Sequence, residues 1–259
     1  MKWPQLQRFR IEDAVKKRDR PYHRIEASPK TVEVRSGKTK AYITKGELVA
    51  PSLHPNKLEQ RKELVKDVKG GTVVEMFAGE GNLSKQVYAD KMKADKIVAV
   101  DVDSRALKKA EEKVKDKTEI KTYPSHNVKW AEQQLPYQNL RDVKVVDFDA
   151  FGSPADAVQA FFDNYEVKRP MRVGLTDGSG LYIAQLGVAD DEAKRREWIR
   201  KEFGVSYSGQ WDREKQKQVL DDFMEKQGRE HGFKVQKVNE AHGDQWAIYK
   251  GYKIIPAVA

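Results

Sequence analysis

The sequence predicts an α/β protein whose core is a doubly wound sheet of seven strands. Two observations carry this prediction. The stretch from Thr72 to Asp103 reads as strand, glycine-rich turn, helix and second strand ending on an acid, which is the pattern of a nucleotide-binding βαβ unit. Apolar runs of strand length then alternate with helical patterns through the rest of the chain, as is typical of this fold class.

Length and composition indicate a globular protein without disulfides or a membrane-spanning segment. A chain of 259 residues is long enough for one α/β domain with a small extension. The chain has no cysteine, which excludes disulfides and thiolate metal sites and fits a reducing compartment. No apolar run approaches the roughly 20 residues that cross a bilayer, and the first residues lack the apolar segment of a signal peptide. We therefore expect a cytoplasmic protein without a membrane partner.

The positive charge is concentrated near the N-terminus. Residues 1–70 hold 18 basic and 9 acidic residues, so the whole net charge of +9 lies there. A basic segment on a neutral body is typical of a protein that binds a phosphate backbone, which favours a nucleic-acid partner. A lysine-rich extension that serves only solubility is the alternative.

The first predicted unit is a basic extension over residues 1–50. Its basic cluster Lys16-Lys17-Arg18 lies among aromatic residues such as Trp3, so the segment would either contact RNA phosphates and bases or pack onto the body. The stretch from Thr31 to Thr44 alternates around Ser36-Gly37, which predicts a β-hairpin.

The second predicted unit covers residues 51–259. A helix is expected from Asn56 to Val68, before the first core strand. After Asp101, the patterns predict helices over 104–115, 155–165, 191–203 and 212–228, and strands over 120–123, 143–149, 171–176, 233–238 and 245–252, with the last two strands antiparallel.

The glycine-rich turn carries the first family resemblance. Its pattern E-x-F-x-G-x-G, from Glu75 to Gly81, resembles motif I of the class I S-adenosylmethionine (SAM) methyltransferases. The resemblance implies a Rossmann-like fold and SAM as the cofactor. A tight turn in some other α/β protein is the alternative, because a turn with two glycines is a short signal.

The fourth core strand delivers a second motif, Asp147 to Pro154, to the sheet edge where ligands of such folds bind. A carboxylate there would accept hydrogen bonds from an exocyclic base amine and draw off its proton, and an aromatic ring would stack on the base. The sequence D-F-D-A-F-G-S-P resembles the D-x-D-P-F-G-S-P motif of the tRNA (guanine-N2) dimethyltransferases. The segment from Ser52 to Arg61 and the pair Thr176-Asp177 resemble further parts of that family.

The resemblance implies roles for individual residues. Asp149 would be the catalytic carboxylate and Phe151 the base-stacking ring. Arg61 would bind the methionine carboxylate of SAM, and Asp101 the ribose hydroxyls, with Asp103 as a helix cap. The implied cofactor-binding positions are Arg61, Glu75, Phe77, Gly79, Gly81, Asp101, Val102, Asn127 and Asp147. The implied substrate-binding positions are Ser52, His54, Phe151, Gly152, Ser153, Lys16, Lys17 and Arg18.

Some of these positions have a plainer interpretation. Asn127, on the loop after the third strand, is placed to meet the adenine amine or is a turn asparagine. Asp147 is either a supporting carboxylate or a strand-end acid. His54 and His126 are interpreted as loop histidines, and no metal site is expected.

The chain also departs from the family. Ala150 replaces the motif proline, and Ser52 replaces a pocket phenylalanine. The family's C-terminal RNA-binding domain is not expected in this sequence. The prediction is a SAM-dependent RNA methyltransferase acting on an exocyclic amine, with guanine N2 of tRNA favoured. A DNA amino-methyltransferase acting on adenine N6 or cytosine N4, and an inactive nucleic-acid-binding homologue, are the alternatives. A small-molecule methyltransferase is disfavoured by the charge distribution.

Overall fold

The computed structural model describes the backbone of residues 23–28, 31–36, 39–44 and 47–49, and both backbone and side chains of 54–140, 142–180, 191–243 and 247–257. The predicted substrate positions Lys16, Lys17, Arg18 and Ser52 lie outside these residues. Contacts divide the chain into two compact units, Met1–Ser52 and Leu53–Ala259.

The first unit contains a four-stranded antiparallel sheet in sequence order. Its strands are β1 (His23–Ser28), β2 (Thr31–Ser36), β3 (Thr39–Thr44) and β4 (Glu47–Val49). The predicted hairpin is confirmed as β2 and β3, which pair from Thr31↔Thr44 to Ser36↔Thr39.

The second unit contains a seven-stranded sheet in the order β10-β11-β9-β8-β5-β6-β7. Its strands are β5 (Thr72–Met76), β6 (Lys96–Asp101), β7 (Glu119–Pro124), β8 (Val143–Asp149), β9 (Met171–Asp177), β10 (Phe233–His242) and β11 (Ile248–Pro256). Strands β5 to β9 are parallel, and β11 is antiparallel to both β9 and β10. The doubly wound sheet and its antiparallel last pair are thus confirmed.

The helices of the described residues cover both faces of this sheet. They are α1 (Pro55–Leu64), α2 (Ser84–Met92, with π-type hydrogen bonding), α3 (Ser104–Val114), α4 (Asn127–Gln133), α5 (Ala155–Asn164), α6 (Glu192–Phe203) and α7 (Arg213–His231). Asp103 caps α3 by accepting hydrogen bonds from the backbone N–H groups of Arg105 and Ala106, as predicted.

Two expectations about helices were wrong. Helix α1 ends at Leu64 rather than Val68, because the backbone turns before Gly70 and Gly71 open β5. Helix α4 was not predicted, and Asn127 is its first residue rather than a loop residue. The buried Trp130 and Ala131 give α4 an apolar side that its seven residues were too short to reveal by periodicity.

Alternate residues of the central strands face two separate apolar cores. Val74 and Val146 pack on one side with α4 to α7, while Val73 and Val145 pack on the other with α1, α2 and α3. Val73 and Glu75 of β5, and Val145, Asp147 and Asp149 of β8, therefore face α1 and α2. Within the described residues, no helix is long and apolar enough to span a bilayer.

A polar cluster ties β10 and β11 to α7. Lys250 has no exposed surface, and its Nζ lies 2.6 Å from Asp221 Oδ1 and 3.3 Å from Glu240 Oε2. Lys217 Nζ lies 3.0 Å from Glu240 Oε1. Burial acts to raise the pKa of Glu240, but a hydrogen bond from Lys217 and the charges of Lys250 and Lys217 lower this pKa to about 2.

We expect Glu240→Gln to lower the free energy of unfolding by about 2 kcal/mol at pH 7, because Lys250 and Lys217 lose a charged partner. A carboxylate with a depressed pKa contributes stability above its unfolded value, and this contribution is lost as pH falls toward about 2. Urea unfolding of both proteins should therefore show a gap at pH 7 that narrows below about pH 4. A gap independent of pH would contradict this assignment.

Candidate functional site

The predicted site residues meet where the parallel strands end. Pairing aligns Glu75 of β5 with Asp147 of β8, and Asp149 of β8 with Thr176 of β9. All four residues belong to the set that faces α1 and α2, since their positions alternate with the residues of the opposite core. The carboxyl edge of the sheet thus gathers three carboxylates on one face.

A buried ion pair lies at the centre of this face. Arg61, from α1, and Asp147 both have no exposed surface. Arg61 Nε lies 3.0 and 2.9 Å from the two carboxylate oxygens of Asp147, and Nη2 lies 2.7 Å from Oδ1. Burial acts to lower the pKa of Arg61, but the charge of Asp147 raises it above its ordinary value. The guanidinium also donates to Gln60 Oε1 and, at 3.1 Å, to Thr176 Oγ1.

Two hydroxyl groups of α2 and the carboxyl group of Glu75, on β5, complete the buried network. The Tyr88 hydroxyl donates to Asp147, and the Ser84 hydroxyl donates to Glu75. Burial raises the pKa of Glu75 well above its ordinary value; the hydrogen bond from Ser84 opposes this shift and the charge of Asp147 adds to it. Burial and the charge of Asp147 likewise raise the pKa of Tyr88 well above its ordinary value.

Asp149 lies at the rim of the network, with 14% of its side chain exposed. Lys57 Nζ, from α1, lies 3.0 Å from Oδ1 and 2.9 Å from Oδ2. Thr176 Oγ1 donates to Oδ1 at 2.7 Å. A rim carboxylate held from two sides is suited to accept one further hydrogen bond from a ligand.

The loop after β8 presents an exposed aromatic ring. Phe151 is 87% exposed, and a side chain added at Gly152 would meet nothing within 4 Å. The backbone N–H of Gly178 donates to the Gly152 carbonyl at 2.9 Å, and the Ser153 hydroxyl bonds to Glu202 of α6. Hydrogen bonds to Gly178 and Glu202 therefore hold the loop in place, while the Phe151 ring faces solvent.

The two glycines of the glycine-rich turn, Gly79 and Gly81, have different structural roles. Gly79 has a φ of +53° and open space around its Cα, and its N–H donates to Asp101 Oδ2 at 2.9 Å. A Cβ at Gly81 would lie 2.5 Å from Ala110 Cβ, so Gly81 is needed for packing against α3 rather than for ligand approach. Phe77 has a φ of +68°, which is uncommon for a non-glycine residue.

The ends of β6 and β7 bring the remaining predicted cofactor residues to the same edge. The Ser125 N–H donates to the Asp101 carbonyl at 2.9 Å, which ties the start of α4 to the end of β6. Val102 is 68% exposed beside Asp101. Asn127 is 4% exposed, and its Oδ1 has no hydrogen-bond partner among the described residues. A buried amide oxygen of this kind indicates a missing donor.

The two histidines interpreted as loop residues, His54 and His126, lie at the N-terminal ends of helices α1 and α4. His54 caps α1, because its Nδ1 accepts from the Asn56 N–H at 3.2 Å, and its ring centroid lies 6.0 Å from that of Tyr249. His126 precedes α4 without a side-chain capping bond. Over the part of the chain that is described, no group of three or more His, Cys, Asp or Glu residues could hold a metal ion.

Solved structures that match this architecture over most of the chain include Trm1 and TYW2. Trm1 from Pyrococcus horikoshii, solved with S-adenosyl-L-methionine, has a TM-score of 0.60 at 14% identity, and the match covers 86% of this chain and 61% of that one. The chain has the class I methyltransferase fold. TYW2 from P. horikoshii, solved with MeSAdo, has a TM-score of 0.51 at 15% identity, and the match covers 89% of this chain and 73% of that one.

The comparison confirms the predicted fold. It also supports the resemblance to the tRNA (guanine-N2) dimethyltransferases at the level of the fold. The chain spans less than two thirds of the length of that Trm1. No protein-family model matches the sequence, and no curated protein matches it either.

Sequence reasoning missed several residues of the site. Lys57, Tyr88 and Ser84 reach the carboxylates only through tertiary contacts. One signal was available for Lys57, which occupies the first turn of a helix, where an acidic residue is favoured.

We expect Gly174→Ala to destabilise the class I methyltransferase fold by about 2 kcal/mol, because of overpacking. A Cβ at Gly174 would lie 2.7 Å from Arg61 Nε and 2.8 Å from Asp147 Oδ1. Gly152→Ala is the matched control, since the space around Gly152 is open. Chemical denaturation measures both, and equal stability of the two variants would contradict the packing described here.

The buried Glu75 is expected to make the stability of the fold depend on pH. A carboxyl group whose pKa is raised in the folded state stabilises the fold at low pH, and this contribution is lost as pH rises from about 4.3 through the folded value. We expect Glu75→Gln, which cannot ionise, to lack this loss, so its stability relative to the unaltered protein should improve between pH 5 and pH 8. Urea unfolding with the exposed Glu111→Gln as control measures this, and parallel pH curves would refute it.

Proposed function

We propose that this chain is a SAM-dependent RNA methyltransferase that modifies an exocyclic base amine, with guanine N2 of tRNA as its target. The observation that carries the proposal is the position of Asp149. This carboxylate ends a central parallel strand, keeps part of its surface exposed and lies two residues before the exposed ring of Phe151.

The residues around the glycine-rich turn fit the cofactor. Asp101 would accept from the ribose hydroxyls, Gly79 leaves open space beside the backbone, and Asn127 offers a buried oxygen without a donor. The adenine amine of SAM is a donor of the required kind. When bound, SAM would supply an electrophilic methyl group attached to a sulfonium. The leaving group is the neutral thioether that remains once the methyl group is transferred.

Arg61 and Asp147 receive a different role from the one that the family resemblance implies. Both are fully buried and bonded to each other, so direct contact with SAM would require the guanidinium to leave Asp147. We assign Arg61 to the support of the acceptor site, because its Nη2 bonds the same Thr176 hydroxyl that donates to Asp149. Glu75, which is 1% exposed, belongs to the same supporting network.

The chain's own groups account for the activation of a poor nucleophile. Phe151 stacks on the base and holds its amine at the sheet edge. Asp149 would accept a hydrogen bond from the amine and take one of its protons as the nitrogen lone pair forms the new N–C bond to the methyl group. The electron pair of the broken C–S bond would remain with the departing thioether. The proton then passes from Asp149 to water.

RNA as the substrate class rests on two supports. One is the basic charge of residues 1–70, which suits a phosphate backbone. The other is the structural likeness to Trm1 and TYW2. The tRNA target and the guanine N2 position follow from the resemblance of the loop after β8 to the tRNA (guanine-N2) dimethyltransferases.

The experiment that tests this proposal is nucleoside analysis by mass spectrometry after incubation with SAM and unmodified tRNA. We expect N2-methylguanosine with the unaltered protein and a loss of at least about 100-fold in rate for Asp149→Asn, which removes the proton acceptor. Asp116→Asn, on the exposed surface after α3, is the matched control.

The outcomes separate the candidate functions. A different methylated nucleoside would keep the enzyme class and change the target. Duplex DNA is tested in parallel. Methyl transfer to DNA and not to tRNA would contradict RNA as the substrate and indicate a DNA methyltransferase. No SAM binding in calorimetry would leave only the fold and favour an inactive nucleic-acid-binding protein.

A further inference from the structure

We propose that Lys57 is a positioning residue that holds the Asp149 carboxylate in the orientation the acceptor amine requires. The inference rests on the function proposed above and adds a residue to its site. Its basis is the pair of contacts from one ammonium group to both carboxylate oxygens, at 3.0 and 2.9 Å, between residues 92 positions apart in the chain.

The location of Lys57 is unfavourable for an ordinary lysine. It is the third residue of α1, after Pro55 and Asn56, where the helix dipole favours acidic side chains and disfavours a cation. It is also only 7% exposed, whereas a lysine that serves solubility extends its ammonium group into water. A residue that breaks local preferences in this way is expected where a functional site requires it.

The hydrogen bonds of Asp149 leave a defined position for the substrate. An ionised carboxylate has about four lone-pair positions, two on each oxygen. Oδ1 receives Lys57 and Thr176, while Oδ2 receives Lys57 alone among the described residues. The remaining acceptor position is therefore on Oδ2, and the lysine fixes where this oxygen lies.

Arg61 determines that Thr176 is the donor in its hydrogen bond with Asp149. A guanidinium has only donors, so the Thr176 hydroxyl must accept from Arg61, and its own proton is directed to Asp149. Asp149 is thus held by a charged donor from α1 and a neutral donor from β9. Without Lys57, Asp149 would keep only the Thr176 hydroxyl of these two donors. The carboxylate would then be free to rotate away from the amine.

The test compares Lys57→Met, which removes the charge, with Lys57→Arg, which keeps it. Lys62→Met is the matched control, because Lys62 lies on the same helix and pairs only with the exposed Glu59 in the described residues. We expect Lys57→Met to lower kcat for methyl transfer about 100-fold, the typical cost of a misplaced catalytic group. The KM for RNA and the Kd for SAM should change less than about twofold, since neither ligand is bound by Lys57. Lys57→Arg should retain much of the rate.

Chemical rescue distinguishes positioning from a structural role. In Lys57→Ala, added propylammonium should restore part of the rate in a saturable manner, whereas neutral propanol should not. Circular dichroism checks folding, and Lys57→Gln replaces the methionine variant if that variant does not fold.

Failure of either proposal can be recognised separately. If Lys57→Met transfers methyl groups at the unaltered rate, or if its rate falls together with SAM binding and ammonium gives no rescue, the role assigned to Lys57 is overturned while the methyltransferase function stands. If the unaltered protein binds SAM but transfers no methyl group to RNA or DNA, the proposed function fails, and the role of Lys57 fails with it.

Discussion

The buried ion pair between Arg61 and Asp147 is the interaction on which the rest of the site depends. Strands β5 and β8 place Glu75 and Asp147 side by side on the same face of the sheet, where neighbouring carboxylates repel and water is excluded. Arg61 balances this charge from α1. Because breaking one partner of a buried pair typically costs about 3–5 kcal/mol, helix α1 and the sheet are expected to be stable only together.

The ion pair also connects parts of the fold that are distant in sequence. Arg61 bonds Thr176 of β9, and the neighbouring Gln60 bonds Asn239 of β10 at 2.7 Å. Helix α1 thereby joins β8, β9 and β10 at the edge where ligands bind in folds of this kind. The same helix carries Lys57, so the position of the partly buried carboxylate Asp149 follows from the docking of α1.

The arrangement suits chemistry in which the protein orients a substrate and accepts one proton. Its buried groups are bonded to one another, whereas Phe151, Gly152 and Asp149 keep surface available to a ligand. Structural likeness to Trm1 and TYW2 places this site on a class I methyltransferase fold.

The sequence by itself determined the sheet and the position of the candidate site along it. Apolar runs located the core strands. Asp147 and Asp149 lie two residues apart on β8, and this spacing puts both on one face because side chains of a strand alternate with period two. Only the tertiary structure decided that Arg61 contacts Asp147, that Lys57 reaches Asp149, and that Asn127 starts a helix. Local periodicity carries no information about contacts between residues 86 or 92 positions apart, which arise only when α1 packs across the ends of the strands.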